Sequence, residues 1–321
     1  MRTSTQRRSW VIALPVMLLL LWTVVYPNVA VIVGSFENGL EHWREFAASP
    51  ADREALRTSL VISVASVLAS LAIGVPLAFL LGRFEFPGRR LLRAVATLPA
   101  ALPPLVGVIA FLFLYGESGL ITRSVQRAFG MAEAPWRLQG VPAIVFVHAY
   151  TMYVYVFLFV SAGLERFDAT LDEAGSGLGA STWQRLRRVT LPLLMPAVAG
   201  SMLLVFMNSL GSFSAPYVFG GGLRVLSTQI LASKINGAMG LAYVETTVLA
   251  LSAVAGLLLF RWIDRKRKYT LASKGGRTRR VIGSRRAQIL TSVLAAAIVI
   301  TLILPHLMVI LVSFARDGVW T

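Results

Sequence analysis

Apolar runs of about 20 residues or more recur along this chain, and they decide the solvent in which it folds. Roughly 20 residues of α-helix cross the ~30 Å hydrocarbon core of a bilayer. The first run covers about 10–34, and others cover about 56–81, 94–115, 140–164, 191–213, 241–263 and 287–314. Charged residues make up only 14% of the chain, against about 25% in a soluble domain. That surplus of apolar surface exceeds what one soluble core can bury. Inside lipid every backbone polar group needs an internal partner, which a helix supplies. The expected fold is therefore all-α, a polytopic membrane helix bundle of about seven spans.

The first run is longer than the apolar core of a cleaved leader, about 7–15 residues, and it lacks a small-x-small cleavage pattern. It reads as an uncleaved span. The net charge of +16 raises nucleic acid as a partner, but the basic residues are placed by topology. With a cytoplasmic N-terminus, the inner segments 1–9, 83–93, 165–190 and 261–286 hold 22 of the 31 Lys and Arg residues. An excess on the cytoplasmic side is the usual mark of orientation. No nucleic-acid partner is expected; the partner of the apolar faces is the lipid membrane.

The chain has no cysteine, so disulfides are absent. It has no G-x-x-x-x-G-K-[ST] phosphate loop and cannot hydrolyse ATP by itself. His42, His148 and His306 lie in different segments, with no paired-ligand metal motif and no nucleophile–base set. No catalytic residue, metal site or cofactor is expected in this chain.

Irregularities inside the spans mark where helices bend. Gly74 and Pro76 kink the second. Pro99, Pro103 and Pro104 rule out one straight helix for the third. A broken helix at membrane depth must be packed in protein or line a cavity. The segment is thus a kinked packing helix or the wall of a translocation path. A mixed loop at 116–139 holds a short amphipathic helix near 120–129. The fourth span carries His148, Tyr150, Tyr153 and Tyr155, and the tyrosines read as an interfacial aromatic belt in preference to a ligand cage. Asn208 and Ser212, in or near the fifth span, face the bundle interior as pathway groups or as helix–helix hydrogen bonds. Ser214, Tyr217 and the run Gly220, Gly221 and Gly222 follow at its outer end, as a gate, as a contact for a soluble partner outside the membrane or, for the glycines, as a flexible turn.

The first and seventh runs repeat each other. YPNVAVIVGSFENG and LPHLMVILVSFARDG share the spacing P-x7-SF, through Pro27, Ser35 and Phe36 in one and Pro305, Ser313 and Phe314 in the other. A glycine follows soon after each, Gly39 and Gly318. The match implies a duplicated unit. Residues 1–264 then form a first six-span unit with a polar insert at 165–190. Residues 265–286 are a basic cytoplasmic linker that also suits anionic lipid. Residues 287–321 are the first span of a second, truncated unit.

The polar insert has internal order. Asp168 caps a short helix, ATLDEAGSGL, whose Leu171, Ala174 and Leu178 share a face. Gly175, Gly177 and Gly179 weaken it by about 1 kcal/mol each relative to Ala, so a helix–turn–helix centred on Gly179 is expected. Ser181 and Gln184 form a capping-box pattern at the start of a second helix. Trp183 and Leu186 share its face, while Arg185, Arg187 and Arg188 project elsewhere. Leu191 and Pro192 end the element and start the next span. Either this is a solvated loop, or its apolar face has a partner outside the chain.

Glu173, Ala174, Gly179, Val189, Leu191 and Pro192 follow one pattern: Glu-Ala-x, three residues, Gly, nine residues, an aliphatic residue, one residue, Leu-Pro. It resembles the EAA loop of permease subunits in binding-protein-dependent ATP-binding-cassette importers, with Gly175 where that family usually has alanine. The stretch GSFSAPYVFGGGLRVLSTQI, residues 211–230, is similar to the corresponding region of iron(III)-type permeases, in which one long chain often holds two fused units. The resemblance implies coupling helices that insert into a groove on a cytoplasmic ABC ATPase dimer, through Asp172, Glu173, Ala174, Gly179, Trp183, Leu186, Leu191 and Pro192. It further implies a periplasmic solute-binding protein, a second permease unit, ATP used only by partner subunits, and a place in the bacterial inner membrane. The implied cargo is iron(III); thiamine, polyamine, phosphonate, sulfate and molybdate permeases share much of the design. The alternative of another class is a non-transport membrane sensor or scaffold that docks through the same helices.

Overall fold

The computed structural model describes residues 13–166, 169–265 and 280–314. In chain order its helices are α1 (Ala13–Gly34), α2 (Glu41–Ala48), α3 (Pro50–Arg83), α4 (Arg89–Val95), α5 (Pro104–Tyr115), α6 (Leu120–Ala128) and α7 (Gly140–Glu165). They continue with α8 (Ala169–Gly177), α9 (Thr182–Leu210), α10 (Ser214–Phe219), α11 (Leu226–Ile235), α12 (Met239–Arg265) and α13 (Arg285–Ser313). Among the described residues, seven segments are long and apolar enough to cross a membrane: α1, α3, α5 with α6, α7, α9, α12 and α13. The all-α, seven-span expectation holds.

Two spans begin earlier than their apolar runs. Pro50 opens α3 in the first turn, where a missing N–H costs nothing. The Ser49 hydroxyl caps it by accepting the Asp52 N–H at 3.3 Å. The helix that carries the fifth apolar run starts before Leu191 and Pro192. Helix α9 runs unbroken from Thr182, through a π-helical turn at Leu186–Thr190, into the membrane segment. Pro192 is tolerated because it falls near the start of the α-helical stretch after that turn.

The apolar run at about 94–115 is not one helix but three pieces. Helix α4 ends at Val95, a 3-10 turn covers Leu98–Ala101, and α5 restarts at Pro104. Each proline removes a backbone donor, and Leu102 and Pro103, each followed by a proline, take an extended ψ of 138°. The carbonyl of Ala96, left over at the end of α4, accepts from the Tyr153 hydroxyl at 2.8 Å.

Two compact units share the chain. The smaller, within the described residues, comprises 13–59 and 224–252. Its core is Phe46, Ala55, Leu226 and Val244, with Trp43, Leu241 and Val248 packed against it. The Leu226 N–H donates to Ser59 Oγ at 2.9 Å. Asp52 and Glu245 are buried in this unit, and the Ser233 hydroxyl donates to Glu245 Oε1 at 2.8 Å.

The larger unit comprises 60–223 and 253–314. Helix α7 is its most buried span, with Ile144, Val147, Val154, Val156, Phe157 and Val160 packed inside, while Phe146, Leu158 and Phe159 stay exposed. Helix α3 comes close to α7 at Gly74, where a Cβ would lie 2.6 Å from Val156 Cβ and 2.8 Å from the Tyr153 carbonyl oxygen. Small residues permit such approach between membrane helices. Helix α9 packs along α7, and α13 packs against α5. A two-residue parallel ladder joins Phe84–Glu85 to Arg280–Val281.

Candidate functional site

A cavity of about 450 Å³ lies inside the larger unit. One wall is the broken third span, through Pro99, Pro103 and Pro104. A second is α7, through Tyr150, Thr151 and Tyr155. The end of α9 and the start of α10 add Asn208, Ser212 and Ser214, and α13 adds His306. The volume is in the range of small-ligand sites. Its polar lining is hydroxyl, amide and imidazole, with no Asp, Glu, Lys or Arg among the lining residues.

The three parts of the lining have separate local causes. The prolines keep backbone away from helical geometry, which is tolerated at membrane depth only beside a cavity or in protein. Gly211 ends α9, so Ser212 and Ser214 sit at a bend and not on a continuous helix surface. The Asn208 amide donates to the Leu204 carbonyl at 2.8 Å while lining the cavity.

Behind Ser212 lies a polar cluster that holds three helices together. His148 is only 2% exposed. Its Nε2 is 2.9 Å from Ser212 Oγ, and its Nδ1 is 3.0 Å from both Ser66 Oγ on α3 and Ser209 Oγ on α9. A serine hydroxyl rotates to donate or accept, so the cluster is satisfied with either imidazole tautomer. A second link spans α7 and α13, where the Tyr150 hydroxyl and His306 Nδ1 are 3.3 Å apart.

Sequence reasoning had singled out Asn208, Ser212, Ser214 and Tyr217. The first three converge on the cavity, but Tyr217 does not line it. Its ring is 65% exposed and stacks on Phe213 at 5.1 Å. The expected aromatic belt is also corrected. Tyr150 and Tyr153 are buried, because each hydroxyl finds a partner inside the protein, as buried tyrosines require. Tyr150, His148 and His306 were the missed residues. The signal was present: a lone polar side chain inside an apolar run faces the bundle interior. Gly220, Gly221 and Gly222 form a turn after α10, with positive φ of 57° and 91° at the second and third.

The polar insert is a second candidate site. Asp168 lies outside the described residues, as do the side chains of Asp172 and Glu173, whose backbone belongs to α8. Helix α8 ends in a Schellman pattern. Ala180 N–H donates to the Gly175 carbonyl and Gly179 N–H to that of Ser176, both at 3.0 Å, and Gly179 takes the left-handed φ of +77°. The capping box then starts α9. Gln184 N–H donates to Ser181 Oγ at 3.2 Å, and Ser181 N–H to Gln184 Oε1 at 2.9 Å.

Arg185 does not project with Arg187 and Arg188. It is 8% exposed, and a Cβ placed on Gly175 would lie 3.2 Å from its Cδ. An alanine methyl at 175 would therefore require the flexible stem of Arg185 to shift by a few tenths of an ångström. Leu186, Leu191 and Pro192 are half-buried where α9 leads on, and Ala174 is exposed. The apolar groups left most open are Leu178, 88% exposed, and Trp183, 65% exposed, on either side of the Gly179 turn.

Comparison with known proteins matches residues 74–269 to the family model for the binding-protein-dependent transport system inner membrane component. The chain is similar to a probable ABC transporter permease protein, y4fN, of Sinorhizobium fredii, 30% identical over 275 residues, covering 84% of this chain and 48% of that protein. It is similar to the ferric transport system permease protein FbpB of Actinobacillus pleuropneumoniae, 26% identical over 82% of this chain and 39% of that one. The chain therefore spans less than half the length of either. It also matches the molybdenum transport system permease protein ModB of Escherichia coli, 32% identical over 66% of this chain and 93% of that protein. Among solved structures, a bacterial ABC transporter involved in the import of the acidic polysaccharide alginate superposes with a TM-score of 0.70 at 19% identity, over 82% of this chain and 98% of that chain. That likeness speaks to the fold.

Proposed function

From the premise that this chain belongs to the binding-protein-dependent transport system inner membrane component family, we propose that it is the permease subunit of an ATP-driven importer whose cargo is iron(III). The observation that carries the coupling role is the capped pair α8 and α9, which holds Leu178 and Trp183 outward beside a rigid turn. An apolar face held open by two caps is matched to a partner groove. Under a cytoplasmic N-terminus this pair lies in the cytoplasm, where an ABC ATPase dimer binds and hydrolyses ATP. The chain itself supplies no catalytic group.

In this reading, a periplasmic solute-binding protein delivers the solute to the outer face of a bacterial inner-membrane complex. ATPase closure pulls on α8 and α9. Because α9 runs without a break from Thr182 to Leu210, force applied beside the turn reaches Asn208 at the cavity along one helix. The cavity, with Asn208, Ser212 and Ser214 at one wall, is the transport path. Its uncharged lining offers hydrogen bonds without a fixed charge to trap an ion, so selection falls to the soluble binding protein.

The ferric relative aligns along more of this chain than the molybdenum relative does, which favours iron(III). The higher identity of the molybdenum relative supports an oxyanion as the second reading. Uptake assays in cells carrying the chain with its operon partners separate them: labelled iron(III) accumulates and labelled molybdate does not. The reverse result reassigns the cargo, and uptake of neither sinks both. For coupling, Glu173→Lys and Trp183→Ala are expected to leave the chain in the membrane while abolishing uptake and co-purification with the ATPase. Normal uptake by both variants would refute the coupling role.

A further inference from the structure

The smaller unit buries two acids against each other. Asp52, in the first turn of α3, is 1% exposed, and Glu245, in the second turn of α12, is 0% exposed. Their carboxyl groups are in hydrogen-bonding contact. The Ser233 hydroxyl of α11 satisfies Glu245 Oε1 at 2.8 Å. Glu245 Oε2 and Asp52 Oδ1 are buried with no N–H or O–H donor on them. The core beside them is apolar, built from Phe46, Ala55, Leu226 and Val244.

Basic groups do not account for the pair. Arg44 on α2, Arg53 and Arg57 on α3 and Lys234 on α11 are exposed. Among the described residues, no ion pair joins a basic side chain to Asp52 or Glu245. Glu41 and Glu54 are exposed too, and α12 carries no other charged residue within 239–252. The charged group that does face the pair is a further acid, Glu45 of α2, whose Oε2 lies 3.3 Å from His42 Nδ1.

An ionised carboxylate only accepts hydrogen bonds, so two of them in contact repel and leave lone pairs unmet. With one proton between them, the same contact becomes a short O–H···O⁻ bond. A buried charge without a partner neutralises in preference to staying ionised, and two carboxyls sharing one site do not both ionise.

We propose that Asp52 and Glu245 share a single proton, which clips α3 to α12 as a pH-sensitive fastening at the outer end of both spans. The ligand of this site is the proton, drawn from the compartment outside the membrane under the orientation set by the basic residues. The closed unit keeps one proton that the opened unit, with both acids in water, gives up. The clip therefore weakens as pH rises, its opening equilibrium growing by up to about tenfold per pH unit while the closed pair still holds the proton and water-exposed carboxylates do not. Nothing in the clip depends on the cargo or on the ATPase.

Two readouts on the full chain, within its transporter in lipid nanodiscs, test this. Infrared difference spectroscopy detects the carbonyl stretch of a protonated carboxyl. Hydrogen exchange read by mass spectrometry follows opening of 41–59 and 226–248. Near neutral pH the parent is expected to show a protonated-carboxyl band that Glu245→Gln and Asp52→Asn each lack. Exchange in those segments, corrected for its intrinsic pH dependence, is expected to speed up at least tenfold between about pH 6 and about pH 9. In either amide variant the side-chain NH₂ donates at every pH, so the segments stay protected and the pH dependence is lost. His42→Gln removes the rival titrating group beside Glu45 and is expected to keep the parent's pH dependence. No protonated-carboxyl band in the parent overturns the proposal. So does a pH dependence that survives in both amide variants or vanishes in His42→Gln, or a loss of protection at every pH in both amide variants.

Discussion

At the scale of single residues, His148 carries the most consequence. One imidazole serves Ser66, Ser209 and Ser212, so three helical segments depend on two ring nitrogens. His148→Phe keeps an aromatic ring but leaves three hydroxyls without that partner. A hydrogen bond between membrane helices contributes about 0.6–2 kcal/mol. The variant is expected to melt at a lower temperature in detergent than the parent, and His148→Asn is expected to recover part of the loss. An unchanged melting temperature in His148→Phe would show that the cluster does not hold the helices together. Ser212 was legible in the sequence as a polar residue near the end of a span. Its hydrogen bond to a histidine 64 positions earlier was not, because nothing in a single sequence states which residues of two distant helices share a level in the membrane.

At the scale of elements, the α8–α9 turn is the part most completely written in local sequence. Gly179 takes a φ of +77°, where a residue with a Cβ is strained by roughly 1–2 kcal/mol. Gly177 has no positive φ and has open space around its Cβ position. Gly179→Val is expected to loosen the turn and speed proteolysis within 169–182. Gly177→Ala is expected to slow it, since alanine in place of a compatible glycine stabilises by about 0.4–1 kcal/mol. Equal cleavage rates in the two variants would count against the turn as a rigid element. The capping box and glycine turn were readable because each involves residues three to five apart. The burial of Arg185 against Gly175 was not, since it needs the second helix folded back on the first. The same limit applies to where α9 begins. Hydropathy marked the apolar stretch, whereas the π-helical turn at Leu186–Thr190 makes one continuous rod of the polar and apolar parts.

At the scale of the whole molecule, the absence of cysteine from the sequence permits a direct test of the cavity. Ser212→Cys lies on its wall, while Leu290→Cys sits at a 70% exposed apolar position of α13. A charged thiol reagent needs water to form the reactive thiolate. In the assembled transporter Ser212→Cys is expected to react, at a rate that changes when ATP is added, while Leu290→Cys stays unlabelled within the hydrocarbon. A rate at Ser212→Cys that ATP does not alter would argue against this cavity as an alternating path.

The sequence by itself determined the solvent, the helical class, the number of spans and the two-helix insert. Each of these depends on composition over about 20 residues, or on neighbours within one helical turn. Tertiary structure alone decided that Pro103, Tyr150, Ser212 and His306 face one cavity, and that Tyr217 does not. It also decided that the buried tyrosines are structural partners and not a belt at the membrane surface. Those relations arise between helices far apart in the chain, where apolar periodicity is silent because lipid and protein neighbours are equally apolar. What separates a lipid-facing leucine from a packed one, or a path from a seam, is which helix lies opposite, and only the folded bundle supplies that.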